Sequence, residues 1–114
     1  MPYIEIKTNI KLDDAKKDSL KSSLSRAMEK SFPGKSERWL MVGFTDGMTM
    51  YFGGSGESCV MADVSIFGSQ SESAYDAMTK AVCGAIAGEC GVSPGRIYVK
   101  YSEYTHWGVD GENF

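Results

Sequence analysis

Apolar and polar residues alternate from the start of the chain: Ile4 and Ile6 fall on one face, and Tyr3, Glu5 and Lys7 on the other, which predicts a half-buried strand over residues 1–9. The period then changes. Leu12-Asp13-Asp14 reads as a helix start with Asp13 as N-cap, and Leu20, Leu24, Ala27 and Met28 recur at helical spacing as one apolar stripe. Pro33-Gly34 ends that helix. Arg38 to Phe44 reads as a second strand, with Leu40, Val42 and Phe44 on one face. Asp46-Gly47 followed by Met48-Thr49-Met50-Tyr51-Phe52 has the pattern of a tight hairpin, and Gly53-Gly54-Ser55-Gly56 breaks regular structure.

The second half restates the first. Val60–Phe67 alternates as a strand, and Ser71 caps a helix carrying Tyr75, Met78, Val82, Ala85 and Ile86 that stops at Gly91. Ser93-Pro94-Gly95 then turns into a strand over Arg96–Tyr101. One offset of 58 residues relates Ile6 to Val64, Leu24 to Val82 and Arg38 to Arg96. A period that holds over strand, helix and strand marks two βαβ units, residues 1–57 and 58–114, in a single domain 1–114. The predicted class is α+β. Two pseudo-symmetric units pair antiparallel into a four-stranded sheet, with right-handed crossovers that put both helices on one face. The other face is left bare although its strands carry Trp39, Met41, Met61 and Phe67, so a homo-oligomer is expected.

Composition narrows the chemistry. With 42% hydrophobic and 24% charged residues the chain is ordinary globular material, and its net charge of −3 argues against nucleic acid or an anionic membrane as partner. No charged n-region with an apolar run opens the chain, and no run approaches membrane-spanning length. Cys59, Cys83 and Cys90 form no Cys-x-x-Cys pair and read as reduced thiols of a cytoplasmic protein. His106 is the only histidine, so a metal site or a Cys/His pair has little to build on and no cofactor is expected.

What remains is the amine. Pro2 follows an initiator Met1 that should be trimmed, leaving a secondary amine fixed to a half-buried strand. Burial or a nearby cation would lower its pKa towards neutrality and make it a general base. Lys35, in the turn before the second strand, is placed to hold a substrate carboxylate and to depress that amine. Tyr98 and Lys100 share one strand face opposite Ile97 and Val99, where they could line a polar pocket mouth.

These residues carry a resemblance. Met1-Pro2 with its alternating strand and Thr8-Asn9, Gly34-Lys35, and Tyr51-Phe52-Gly53-Gly54-Ser55 resemble the macrophage migration inhibitory factor family of the tautomerase superfamily. Arg96-Ile97-Tyr98-Val99 and Trp107-Gly108 through Asn113-Phe114 do so too, all in family order over the whole chain. The resemblance implies a homotrimer with sites at subunit interfaces, catalysing keto–enol tautomerisation of α-keto acids such as phenylpyruvate. It implies Pro2 as the base and Lys35 as the substrate-binding lysine. Phe67 falls at the position whose backbone meets ligand, Tyr98 on a pocket tyrosine given by the neighbouring subunit, and Trp39 at the pocket rim, with Tyr3 completing an apolar pocket for an aryl group. Lys100 stands where an asparagine is usual and would bring a second cation to the pocket. Val109 replaces a tryptophan, and Cys59-Val60-Met61-Ala62 breaks the Cys-x-x-Cys of some members. The resemblance also implies a second reading: a cytokine-like protein acting on a host receptor, leaving cells by a route without a signal peptide.

Overall fold

The computed structural model describes residues 1–114. Strands β1 (Pro2–Thr8), β2 (Met41–Thr45), β3 (Val60–Phe67) and β4 (Ile97–Tyr104) form one sheet in the order β2-β1-β3-β4. β1 is parallel to β2, β3 is parallel to β4, and the two central strands are antiparallel. Helices α1 (Asp14–Ser31) and α2 (Glu72–Cys90) are the crossovers of the two units. A small hairpin, β5 (Gly108–Val109) with β6 (Glu112–Asn113), closes the chain. In the central pair Glu5 lies opposite Asp63, its own equivalent under the 58-residue offset, so the pseudo-twofold axis passes between these two residues.

Both helices begin as their capping residues require. Asp13 accepts from the Lys16 amide at 2.8 Å and Ser71 from the Ala74 amide at 3.1 Å, each satisfying an amide that has no intrahelical partner. Gly91 ends α2 in the left-handed region at φ 70°, where a side chain would be strained. Ile4, Ile6, Val64 and Ile66 of the sheet meet Leu20, Leu24 and Met28 of α1 and Met78, Val82 and Ile86 of α2, all at most 1% exposed. Burying such a side chain contributes about 1.5–3 kcal/mol. Phe32 is fully buried just beyond α1, edge-on to Tyr75 with ring centroids 5.6 Å apart.

Four expectations need correction. Residues 48–52 form no hairpin strand; the one pairing there is an isolated bridge between Phe52 and Ser55. After β2 the chain turns towards the end of β1, where the Gly47 amide donates to Ile10 at 2.9 Å and the Met48 amide to Thr8 at 3.1 Å. The loop's carbonyls are then satisfied by side chains. Asn9 Nδ2 donates to Gly56 and Glu57, its Oδ1 accepts from the Cys59 amide, and Arg96 holds the loop from the other side.

The second correction concerns β2, which starts at Met41. Glu37–Trp39 is a single 3-10 turn, its first amide capped by the Glu29 carboxylate at 3.0 Å, so Trp39 sits on a turn at the sheet's end and not on the bare face. The last strand conversely runs on to Tyr104, three residues beyond expectation. Finally, the uncovered face is not apolar throughout. Its centre carries the pairs Lys7–Glu5 at 3.5 Å and Lys100–Asp63 at 3.4 Å, and its apolar groups gather towards the ends.

Candidate active site

Pro2 opens β1, a position at which a strand loses nothing by lacking an amide hydrogen, and its side chain is buried. Ahead of it, the carbonyl of Met1 accepts from the Phe67 amide at 3.1 Å. The Phe67 carbonyl in turn accepts from Lys35 Nζ at 3.2 Å. The peptide flanks of Phe67 thus join the chain's first residue to Lys35. The turn that delivers Lys35 depends on Gly34 at φ 82°, and the Lys35 amide closes it onto Phe32 at 3.1 Å. Burial first, and the Lys35 ammonium second, lower the terminal amine from 8.0 to about 6. In the structure that amine belongs to Met1; Pro2 nitrogen is a tertiary amide until Met1 is removed.

A cleft of about 270 Å³ opens beside this terminus. Met1, Pro2 and Tyr3 form one side, the Arg38-Trp39-Leu40 segment a second, and Trp107 and Val109 a third. A neighbouring cleft of about 480 Å³ shares Tyr3, Met41, Trp107 and Gly108 and adds Ser65, Tyr104 and His106, so the two are continuous. Tyr3 lies across β2 because position 43 is glycine: a Cβ there would stand 3.1 Å from the tyrosine hydroxyl. Burial, and then the Glu5 carboxylate, push the Tyr3 phenol up, keeping it protonated at neutral pH. Phe67 is half-buried, with its ring 6.1 Å from that of Phe114.

The structure brings Pro2, Lys35, Phe67, Tyr3 and Trp39 together around the terminus. It does not bring Tyr98 and Lys100 to the same place. Tyr98 opposes Met61, which opposes Lys7, five residues along β1 from Pro2. At strand spacings of about 3.3 Å per residue and 4.8 Å per strand, that is about 19 Å from Pro2. Tyr98 stacks on Phe52 instead, with centroids 4.6 Å apart, and Lys100 pairs with Asp63. The cation that lines the cleft is Arg38, which sequence reasoning took for the first residue of a strand. Its signal was there to read: a guanidinium next to an exposed indole, in the turn that follows Lys35. Trp107 lines the cleft together with Val109. No three His, Cys, Asp or Glu side chains converge as metal ligands, and no helix is long and apolar enough to cross a membrane.

The arrangement offers a depressed amine, a cation beside it and an apolar aromatic wall, which suits proton transfer at a carbon next to a carbonyl. The family model described as Macrophage migration inhibitory factor (MIF) matches residues 1–113. Macrophage migration inhibitory factor of Meriones unguiculatus is 26% identical over 101 residues, covering 89% of this chain and 86% of that protein. Among solved structures, Leishmania major MIF2 superposes with a TM-score of 0.94 at 32% identity, covering 100% of this chain and 97% of that one. A homologue from Prochlorococcus marinus gives 0.87 at 25% identity, with 98% of each chain covered. From the fold, the site at the head of β1 and these likenesses together, the chain belongs to the macrophage migration inhibitory factor family, within the tautomerase superfamily.

Proposed function

We propose that the protein is a keto–enol tautomerase of aryl α-keto acids such as phenylpyruvate, with the Pro2 amine as general base once Met1 is removed. The observation that carries this reading is the head of β1: burial and Lys35 lower the amine that stands there in the structure, that of Met1, to about 6, and removal of Met1 would bring the Pro2 amine under the same two influences. The amine takes the proton from the carbon beside the carbonyl. The C–H electron pair becomes the carbon–carbon double bond while the carbonyl π pair moves to oxygen, next to the Lys35 ammonium. The proton then returns from the amine to that oxygen, giving the enol; ketonisation is the reverse. The Trp39, Trp107 and Tyr3 side chains supply apolar surface for an aryl group. The Phe67 amide, which Met1 occupies in the structure, would be freed to donate to the substrate.

We propose further that the chain acts as a homotrimer. Large apolar side chains are exposed at two opposite ends of the sheet: Trp39 and Met41 by the cleft, and Tyr51 and Tyr98 at the far end, 45–72% exposed. A head-to-tail contact covers one group with the other and closes a ring. Tyr98 and Lys100 would then reach the cleft of the adjoining copy.

The test is phenylpyruvate ketonisation on protein whose intact mass lacks Met1. Wild type is expected to turn over and the Pro2→Gly variant to lose most of kcat. A Pro2→Gly variant as fast as wild type would exclude the amine as base.

A further inference from the structure

Each βαβ unit carries an arginine in the 3-10 turn before its second strand, Arg38 in the first and Arg96 in the second, related by the 58-residue offset. Arg96 shows what this position can hold. Its guanidinium donates to the carbonyls of Ser58 (3.0 Å), Phe52 (3.2 Å), Ser55 (3.1 Å) and Glu57 (3.1 Å), and its Cζ lies 5.3 Å from the centroid of the Phe52 ring. It is a planar donor resting on an aromatic face and surrounded by oxygen atoms.

Arg38 repeats the aromatic half of that arrangement and lacks the other half. Its Cζ lies 5.2 Å from the centroid of Trp39, while no carbonyl or carboxylate of the protein accepts from its nitrogens. The guanidinium is held in place by the indole with its donors unpaired. It lines the same cleft as Met1 and Pro2, and no acidic side chain lines that cleft with it. In a protein of net charge −3, this is a local positive site beside the base. Lys35, by contrast, already donates to the Phe67 carbonyl and stands beside the amine.

We infer that Arg38 receives the carboxylate of the substrate, in the place where Arg96 receives backbone oxygens in the other unit. A bidentate guanidinium–carboxylate pair at Arg38 would leave Lys35 for the carbonyl oxygen and set the substrate's flat group against Trp39. The ligand class is therefore a carboxylate with an apolar or aromatic tail. The choice of a keto acid rests on the proposed tautomerase activity; anion binding at Arg38 does not.

The test compares a carboxylate with its uncharged counterpart, using ligands that cannot tautomerise. Isothermal titration of Met1-free protein with 3-phenylpropionate and with 3-phenylpropanamide gives an acid-over-amide preference. It is measured for wild type, Arg38→Met and Arg38→Lys. Wild type should prefer the acid, and Arg38→Met should lose that preference roughly tenfold or more by weakening the acid alone. Arg38→Lys should keep part of it as a point charge. An unchanged preference in Arg38→Met would overturn the assignment. So would equal loss of acid and amide, which would mean that Arg38 only supports Trp39, or a wild type that shows no preference for the acid at millimolar concentration. Turnover is read separately. Protein that binds as expected yet does not ketonise phenylpyruvate refutes the tautomerase and leaves Arg38 its role; turnover with an unchanged preference refutes Arg38 alone.

Discussion

Replacing Lys35 by methionine removes a charge from beside the terminal amine and keeps most of the side chain's length. Two influences of Lys35, its charge and its hydrogen bond, lower the amine, but burial is the largest cause and survives the change. The Pro2 amine of the variant should therefore titrate above that of wild type while keeping the part of the depression that burial causes. Each unit of rise lowers the free-base fraction about tenfold at any pH well below the amine's pKa. Because the depressed group is the base in its neutral form, activity rises with pH through the amine's pKa. The acid limb of kcat/KM for phenylpyruvate, which reports the free enzyme, should thus lie below the range of an ordinary secondary amine in wild type and shift to higher pH in the variant. Loss of substrate binding would lower the whole curve, whereas the pKa change moves it sideways, so the two effects separate. Labelling of the terminal amine by a slow acylating reagent, followed by mass across the same pH range, gives the pKa without any turnover. Superimposable acid limbs, or a wild-type midpoint as high as that of an ordinary secondary amine, would refute the account of the amine given above.

Two further outcomes test the fold that holds the site. Arg96→Met removes the donors that hold the carbonyls of Phe52, Ser55, Glu57 and Ser58, and should cost about 2 kcal/mol in urea unfolding, the partly exposed position tempering the loss. A change within about 0.5 kcal/mol would show that Asn9 alone fixes the loop. Phe32→Ala opens a void under the edge-on contact with Tyr75 and should cost about 3–5 kcal/mol by the same measurement, with no shift of the acid limb in the protein that remains folded.

The sequence reading and the structure agree most closely where the signal is local. The strict alternation of Val60–Phe67 marks β3 to the residue, and Asp13, Ser71 and Gly91 mark the ends of helices because each acts on its own backbone. Lys35 could be placed near the head of β1 since a Pro-Gly turn between a helix and a parallel strand leaves little choice. Disagreement arises where distant partners decide. Met48–Phe52 has strand-like residues, but Asn9, some forty positions earlier, takes the Met50 carbonyl and turns the segment aside. The 3-10 turn at Glu37–Trp39 is capped by a carboxylate from α1, and without it the segment reads as the start of β2. Arg38 was hidden by that same misreading. The 58-residue repeat held the clue, for it pairs Arg38 with an arginine whose partners are all oxygens.

The bond from the Phe67 amide to the Met1 carbonyl makes the chain's first residue a plug. On the proposed mechanism, a chain that keeps Met1 has the donor occupied and Pro2 locked as an amide, so it would be silent without being misfolded. One aminopeptidase cut would then release base and donor together. The specific activity of a preparation would in that case be a census of trimmed chains, and two batches with identical melting curves would differ in rate in proportion to how many methionines were left behind.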